Sequence, residues 1–294
     1  MRVEESVVRN IVAPHKSLEG LWDSIVVDGK AKNQLLNHAL LALDLRQKLP
    51  FSSTALHGLL LLIGPPGTGK TTLARSLVME VAARVPKGKA RLIEVNPHGL
   101  MSAEHGQTQQ LVTKLLVEHV PSLASDGMPT VVLLDEVESM AVARDEASLS
   151  ANPADVHRAT DAVLAALDQN TQDNPHIIVA ATSNFPRALD EALRSRADAV
   201  IELPLPDRLA IGEILKTTLT SFAPAHKHFG ELARSDRLSS VANELLGCDA
   251  RRVRKVVTEA IALRLDTVLD FKRLSIDDLL VAAKNAKASL AKEE

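Results

Sequence analysis

The sequence predicts an α/β protein, with a parallel five-stranded sheet that is covered by helices on both faces and followed by a small all-helical domain. Short apolar runs alternate with helical patterns as far as residue 205, and this alternation is typical of parallel sheets. The runs are apolar at consecutive positions, which indicates strands buried on both faces. No strand pattern occurs beyond residue 205. We therefore expect an N-terminal arm over 1–20, an α/β domain over 21–205 and a helical domain over 206–294, with a hinge near 205.

Apolar runs and helical periodicity define the expected elements in chain order. The predicted strands are Leu59–Ile63, Leu92–Val95, Thr130–Leu134, His176–Thr182 and Ala199–Leu203. The predicted helices of the α/β domain are Ala31–Leu49, Thr71–Val85, one around Leu111–Leu116 and one that starts at Pro153 with Asn152 as N-cap. The predicted helices of the C-terminal domain are Asp207–Phe222, Arg237–Leu246, Asp249–Leu269 and Ser275–Ala291. Ser275 and Asp278 form a capping signature at the start of the last helix.

The composition limits the classes of function that fit this chain. Its 34 Lys and Arg against 37 Asp and Glu give a net charge of -3, so the overall charge does not indicate a basic surface that binds nucleic acid. Cys248 is the only cysteine, so no disulfide can form within the chain, which suits a reducing cytoplasm. No run approaches the roughly 18 apolar residues of a membrane span, and the first ten residues do not resemble a signal peptide. We expect a cytoplasmic protein that needs neither membrane nor nucleic acid.

The segment GPPGTGKTT is predicted to bind the phosphates of a nucleotide. It matches the pattern G-x-x-x-x-G-K-[ST] between a predicted strand and a predicted helix. Closely spaced glycines let backbone N–H groups surround a phosphate, and the start of the helix adds its positive end. An ordinary glycine-rich turn is the alternative, but the strand, loop, lysine, hydroxyl and helix here have the required order. The predicted contacts to ATP are Gly64, Pro65, Pro66, Gly67, Thr68, Gly69, Lys70, Thr71 and Thr72, with Thr71 also on Mg²⁺.

Three polar residues near the predicted strand ends suggest a hydrolytic site. Asp135 and Glu136 follow the buried strand Thr130–Leu134, where Asp135 is expected to hold Mg²⁺ and Glu136 to activate the attacking water. Two acids after a strand are often only a solvated turn, but their position after a phosphate loop favours a catalytic role. Asn184 follows the strand His176–Thr182 and is expected to contact the γ-phosphate or the water; its alternative role is to cap the next helix.

These motifs and their order resemble the AAA+ ATPases. The segments that carry the resemblance are GPPGTGKT, LLDEVES, AATSN and ALRSRAD. Within that superfamily, further segments are similar to the pachytene-checkpoint ATPases, which remodel HORMA-domain proteins. These segments are LWDSIV at Leu21–Val26, LIEVNPH at Leu92–His98, LVTKL at Leu111–Leu115, DEVESM at Asp135–Met140 and SRAD at Ser195–Asp198. The similarity runs from about Leu21 to Lys255, and the DEVES and SRAD variants are more specific than the general ATPase motifs.

The resemblance implies a homo-hexamer in which each nucleotide lies between two subunits. Arg196 of SRAD matches the arginine finger, which enters the neighbouring subunit's site, and Arg194 is the second candidate. A surface pair at a helix end is the alternative for both arginines. GCDARRVRK, at Gly247–Lys255, is similar to the family's GxSGRxLRK, so Arg251 matches the residue that contacts the phosphates from the helical domain. By the same analogy, Ile25 and Val26 line the adenine pocket.

The resemblance also implies a protein substrate that passes through a central pore. Relatives place an aromatic residue in the loop after the second strand, but Gly99–Gln107 contains none. This difference favours local unfolding of a substrate terminus over processive threading. The polar stretch Asp145–Asn152 is either a second pore loop or a simple connection. The residues predicted to contact the substrate are Leu100, Met101, Glu104 and His105.

Roughly 20 residues precede the LWDSIV segment in this sequence. With this short N-terminal region, the chain resembles the compact bacterial members of the family. Those members act in antiphage systems that signal through cyclic oligonucleotides, where they disassemble a HORMA protein from a nucleotide-synthesising enzyme. We therefore predict an ATP-hydrolysing hexamer that remodels a HORMA-domain protein bound to a nucleotidyltransferase.

Two other functions fit parts of the sequence. A DNA-associated AAA+ ATPase such as a helicase loader is disfavoured by the acidic balance and by the absence of a basic, aromatic strand-binding surface. A scaffold that binds ATP without turnover is disfavoured by the combination of Glu136, Asn184 and Arg196.

Overall fold

The structure is a computed structural model, which describes residues 3–96, 107–140 and 153–293. Its sheet has six strands in the order β1-β3-β4-β5-β2-β6. The strands are β1 Val7–Ala13, β2 Leu59–Ile63, β3 Ala90–Val95, β4 Thr130–Leu134, β5 Ile177–Ser183 and β6 Ala197–Glu202. Strands β2 to β6 correspond to the five predicted strands and pair in parallel, which confirms the α/β fold class.

The sixth strand, β1, corrects the prediction of a five-stranded sheet. It pairs antiparallel with β3, with Val7 opposite Val95 and Ala13 opposite Ala90. From the sequence, these residues are expected to form an N-terminal arm outside the sheet. Their composition is mixed, and a strand at the edge of a sheet depends on hydrogen bonds from its neighbour more than on its own apolar pattern.

The predicted helices occur in the predicted order, with most of their ends shifted by a few residues, and several short helices that the sequence did not predict lie between them. They are α1 Leu21–Ser24, α2 Gly29–Lys48, α3 Phe51–Thr54, α4 Lys70–Ala82, α5 Gln107–Thr113, α6 Val120–Leu123, α7 Pro153–Asp173, α8 Glu191–Ser195, α9 Arg208–Phe222, α10 His228–Leu232, α11 Leu238–Glu244, α12 Ala250–Ala262, α13 Leu265–Leu269 and α14 Ile276–Glu293. A π-helical segment, Lys114–His119, joins α5 to α6. Helix α7 begins at Pro153 as predicted, and Asn152 lies outside the described residues.

The C-terminal helices include one error of prediction and one confirmed cap. The predicted helix Asp249–Leu269 is divided into α12 and α13. The buried Thr267 hydroxyl lies 2.7 Å from the carbonyl oxygens of Ile261 and Arg264. The Arg264 carbonyl also accepts the N–H of Val268 at 3.3 Å, whereas the Ile261 carbonyl, which residue 265 would bond in an unbroken helix, has the hydroxyl as a partner instead. At the start of α14, Ser275 Oγ accepts the N–H of Asp278 at 3.2 Å while Asp278 accepts the N–H of Ser275 at 2.9 Å, which confirms the capping signature.

The register of the parallel strands brings three polar chain segments to one edge of the sheet. Strand β5 lies between β2 and β4, with Ile63 opposite Ser183 and Leu134 opposite Ala181. All residues of β2, β4 and β5 are buried, and α2 and α4 pack on the sheet. Helix α7 adds Val163 and Leu167 to the same hydrophobic core as the strands. The residues that follow these strands therefore meet at their carboxyl ends, where parallel sheets bind ligands.

The chain forms two compact units. One contains the N-terminal segment through Trp22, Asp28–Gly64 and Lys70–Leu203. The other contains Asp23–Val27, Pro65–Gly69 and Pro204–Glu294, and its core is built from α9 to α14. Two short segments from earlier in the chain thus belong to the C-terminal unit, and one of them is the middle of the predicted phosphate loop. Across the described ranges, no helix has the length and apolar character of a membrane span.

Candidate functional site

The phosphate loop begins at Gly64 in a conformation that only glycine adopts easily. Its φ is 146°, and a Cβ atom there would lie 2.1 Å from the carbonyl oxygen of Leu203. Helix α4 starts at Lys70, a residue that is 5% exposed. Its Nζ donates to the carbonyl oxygen of Gly64 at 2.7 Å. The lysine is therefore directed back across the loop entrance, where it can neutralise a phosphate bound at the start of the helix.

Asp135 connects the phosphate-loop helix to strand β5. Its Oδ1 accepts hydrogen bonds from Thr71 Oγ1 at 2.7 Å and from Thr182 Oγ1 at 2.5 Å. A hydroxyl and a carboxylate are hard oxygen ligands, and Mg²⁺ in nucleotide sites is held by one or two protein oxygens together with phosphates. The donor set at Thr71 and Asp135 therefore fits a magnesium–nucleotide complex.

Glu136 adopts a strained backbone conformation next to Asp135. Its φ and ψ are both 53°, in the left-handed region that is uncommon for residues other than glycine. Its N–H donates to Thr182 Oγ1 at 3.1 Å, and its Oε1 accepts from Asn184 Nδ2 at 3.1 Å. The strand-end turn and the amide of Asn184 thus hold the Glu136 carboxylate from two directions.

Asn184 is expected from the sequence to contact a phosphate or a water, but here its side chain contacts Glu136 itself. Its backbone N–H donates to Glu138 Oε1 at 3.0 Å. The next helical turn, Pro186–Ala188, has Phe185 at its N-cap and no side-chain capping bond. Asn184 is therefore placed to orient the candidate base, and it does not cap this turn.

Thr182 and Glu138 are site residues that the sequence analysis missed. Thr182 is 1% exposed and serves both Asp135 and the N–H of Glu136, while Glu138 anchors the backbone of Asn184. A buried hydroxyl in the apolar run IIVAATS was a usable signal, because buried polar groups require partners. The identity of the partner depends on the order of the strands, which places β5 beside β4.

We expect Thr182→Val to lower ATP turnover about tenfold with little change in the KM for ATP. Valine keeps the volume but leaves the N–H of Glu136 unpaired, which should also cost about 1–3 kcal/mol of unfolding free energy. Steady-state ATPase assays and denaturant titration measure the two effects. Thr130→Val is the matched control, because Thr130 is fully buried at the opposite end of β4 and donates to the Met128 carbonyl. Equal turnover in the two variants would contradict the role of Thr182.

Arg196 makes an ion pair within its own chain. Its Nε and Nη2 each donate to a different oxygen of Asp168 at 2.8 Å, and its Nη1 donates to the carbonyl of Ala192 at 3.0 Å. The hydrogen bond to Arg196 lowers the pKa of Asp168 and raises the pKa of Arg196. Arg194, the second candidate, donates to the carbonyl of Pro186 at 3.2 Å. Within the described part of the chain the two arginines therefore differ: Arg196 is paired with a carboxylate, whereas the hydrogen bond of the Arg194 side chain goes to a backbone carbonyl.

The aspartate of SRAD has a structural role. Asp198 accepts the backbone N–H groups of His57 and Gly58 at 2.8 and 2.7 Å, just before β2 begins. Burial raises its pKa, in opposition to these hydrogen bonds. The motif thus combines a fold-stabilising acid with an arginine two residues earlier.

Within the C-terminal unit, the middle of the phosphate loop packs against the start of helix α12. Gly67 has a φ of 78°, and a Cβ atom there would lie 2.1 Å from Asp249 Oδ1. Its carbonyl accepts the N–H of Arg251 at 3.2 Å. Asp249 caps helix α12 by accepting the N–H groups of Arg251 and Arg252 at 2.9 and 3.0 Å. Thr68 Oγ1 donates to the carbonyl of Pro65 at 3.0 Å and stabilises the turn.

The side chain of Arg251 is exposed, and within the described ranges its guanidinium has no hydrogen bond or ion pair. In the same unit, Ile25 is 3% exposed and lies next to Gly69, while Val26 is partly buried against the helical core. These positions leave Arg251 available to an anion and make Ile25 part of the apolar surface behind the loop. The predicted substrate contacts Leu100, Met101, Glu104 and His105, and the stretch 145–152, lie outside the described residues.

Comparison with known proteins supports the same reading of the motifs. A model of the ATPase family associated with various cellular activities (AAA) matches residues 60–205. The chain is 45% identical over 283 residues to CD-NTase-associated protein 6 of Pseudomonas aeruginosa, which covers 96% of this chain and 93% of that protein. It is 35% identical over 209 residues to the pachytene checkpoint protein 2 homolog of Arabidopsis thaliana, covering 70% of this chain and 44% of that protein. The chain thus spans about half the length of such pachytene checkpoint relatives.

Solved structures show the same fold at low sequence identity. The structure of C. elegans PCH-2 matches with a TM-score of 0.77 and 22% identity, over 96% of this chain and 76% of that chain. A chain of the E. coli MS115-1 HORMA:CdnC:Trip13 complex matches with a TM-score of 0.72 and 18% identity, over 97% of both chains. Together with the sequence matches, these similarities confirm the predicted family and the ATPase class. The chain therefore belongs to the AAA ATPase family, in the group that contains CD-NTase-associated protein 6 and the pachytene checkpoint protein 2 homologs.

Proposed function

We propose that this chain hydrolyses ATP as a subunit of a homo-hexamer, and that the hexamer partly unfolds or disassembles a HORMA-domain protein in a bacterial antiphage system. The observation that carries the proposal is the 45% identity, across 96% of the chain, to a protein named for its association with a CD-NTase. A fold neighbour from a HORMA:CdnC:Trip13 complex supports a HORMA protein bound to a nucleotidyltransferase as the substrate.

In the proposed reaction, the Glu136 carboxylate orients the attacking water and accepts its proton. Asn184 holds this carboxylate at 3.1 Å, which keeps the base in one orientation before ATP is hydrolysed. Thr71 and Asp135 would hold Mg²⁺, and Lys70 would bind the outer phosphates. When bound, Mg²⁺ neutralises charge on the phosphates.

The C-terminal unit is proposed to contribute to nucleotide binding through Arg251 and the residues before helix α2. The exposed guanidinium of Arg251 supports a contact with the phosphates, and Ile25 and Val26 are proposed to line the adenine pocket. Hydrolysis would then move the helical domain about a hinge near residue 205.

Arg196 is proposed to act in trans, as the arginine finger of the neighbouring subunit's site. A finger of this kind contributes about 10³ or more to turnover, so activity would depend on assembly. Arg196 lies directly after the short helix α8, and none of its described hydrogen bonds or ion pairs joins it to Glu136 of the same chain. This placement supports a role outside the site of its own subunit.

The test is affinity capture with Glu136→Gln in the presence of ATP, from a lysate of the native organism. We expect mass spectrometry to recover a HORMA-fold protein, together with a nucleotidyltransferase. Lys70→Ala is the matched control, because it should capture neither protein if substrate retention needs bound nucleotide. Recovery of other proteins only would contradict the proposed substrate while leaving the ATPase assignment intact, and stimulation of turnover by DNA would favour the helicase-loader alternative.

A further inference from the structure

The ion pair between Arg196 and Asp168 uses one side of the guanidinium. A guanidinium has five N–H donors in a fixed, planar arrangement. Asp168 takes the Nε–H and one N–H of Nη2, and the Ala192 carbonyl takes one N–H of Nη1. Among the described residues, one N–H on each Nη therefore stays available to a second anion, while the plane of the guanidinium is already set by Asp168.

The two partners come from elements of different length and packing. Asp168 lies near the end of the 21-residue helix α7, which packs in the core through Val163 and Leu167. Arg196 is the residue directly after the five-residue helix α8. A long side chain next to a short helix thus contacts a carboxylate on a long helix that packs in the core.

Stability alone is a weak reason for this pair. The side chains of Arg196 and Asp168 are 25% and 44% exposed. The two-point geometry makes this one of the stronger kinds of surface ion pair, but water screens the charges and limits what the pair adds to the stability of the fold. His57 is a second ionisable neighbour of Asp168 among the described residues, and burial lowers its pKa. Its Nε2 lies 3.8 Å from Asp168 Oδ1, too far for a hydrogen bond. Asp168 therefore makes its strong, two-point contact with Arg196 alone among its described neighbours.

We propose that Asp168 is a positioning residue for the arginine finger, which it holds in one rotamer with the outer N–H groups left for the phosphate of the neighbouring subunit. The inference rests on the proposed trans role of Arg196. Ordering a free arginine side chain costs up to about 2 kcal/mol, which corresponds to a roughly 30-fold change in rate. Loss of Asp168 should accordingly lower kcat about 10- to 30-fold and leave the KM for ATP nearly unchanged, because an arginine finger stabilises charge that develops in the transition state more than it binds ground-state ATP.

The experiment uses mixed assemblies of two inactive variants. Glu136→Gln subunits keep the finger but lack the base, whereas Arg196→Ala subunits keep the base but lack the finger. Turnover should appear only on mixing, at sites where an Arg196→Ala subunit receives the finger of a Glu136→Gln neighbour. Asp168→Asn is then added to one subunit type at a time. In the Glu136→Gln subunit it should lower the turnover of the mixture 10- to 30-fold, and in the Arg196→Ala subunit it should change the turnover less than about twofold.

The outcomes separate this inference from the proposed function. No turnover on mixing, with co-assembly verified by sedimentation, would contradict the trans role of Arg196 and with it the present proposal. Turnover that falls equally with Asp168→Asn in either subunit would show a purely structural role and overturn the positioning role alone. Asp168→Glu, which keeps a carboxylate, should restore more turnover than Asp168→Asn, and thermal unfolding of both variants checks that the chain is folded.

Discussion

Glu136→Gln should lower ATP turnover by about 10²- to 10⁴-fold while ATP still binds. The amide cannot accept the proton of the attacking water, and general-base catalysis contributes a factor of this size. The amide oxygen can still accept the hydrogen bond from Asn184, so the geometry at the end of β4 should persist. Single-turnover hydrolysis and nucleotide binding, measured separately, test the two halves of the prediction.

Glu138→Gln is the matched control for this variant. Glu138 lies two residues later, and its described hydrogen bond to the site comes from the backbone N–H of Asn184. A glutamine side-chain oxygen can accept the same hydrogen bond. We expect its turnover to fall less than about tenfold. Hydrolysis by Glu136→Gln at the normal rate, or an equal loss in both variants, would show that the base lies elsewhere.

Lys70→Ala should weaken ATP binding by about 10²-fold or more. The ammonium group is almost fully buried at the loop entrance, and removing one partner of a buried charged contact typically costs about 2–5 kcal/mol. Anisotropy of a fluorescent ATP analogue measures the affinity directly. ATP should also raise the melting temperature of the native chain and fail to raise that of the variant.

Lys70→Met separates the charge of the lysine from its packing. Methionine fills nearly the same apolar volume, so its melting temperature without ATP should stay closer to that of the native chain than the melting temperature of Lys70→Ala. Both variants should lose ATP binding to a similar extent, because the charge is missing in each. Retention of near-native affinity in either one would contradict the assignment of Lys70 to the phosphates.

The strands at the centre of the sheet could be predicted from sequence because each is a continuous apolar run. Leu59–Ile63 and Thr130–Leu134 have the predicted bounds, since strands buried on both faces must be apolar at every position. The edge strand Val7–Ala13 has no such requirement, and it was missed. The break between α12 and α13 was also missed, because it depends on a single buried hydroxyl, that of Thr267.

The candidate site divides in the same way. The phosphate loop and the acid pair are visible in the sequence because their function requires particular residue types at short, fixed spacings. The partners of those residues are not visible, because they are distant in the chain: Thr182 follows Asp135 by 47 residues, and Arg196 follows Asp168 by 28.

By itself the sequence determined the fold class, the family motifs and the identities of Lys70, Thr71, Asp135 and Glu136 as candidate nucleotide residues. Local backbone geometry and charge limit the residue types at those positions, so the motifs can be recognised in the sequence without knowledge of the fold. Only the tertiary structure decided what each side chain contacts: that Asn184 holds Glu136, that Thr182 supports the acid pair, and that Arg196 is paired with Asp168. Those contacts follow from strand order and from the packing of α7, which place distant residues within hydrogen-bond distance.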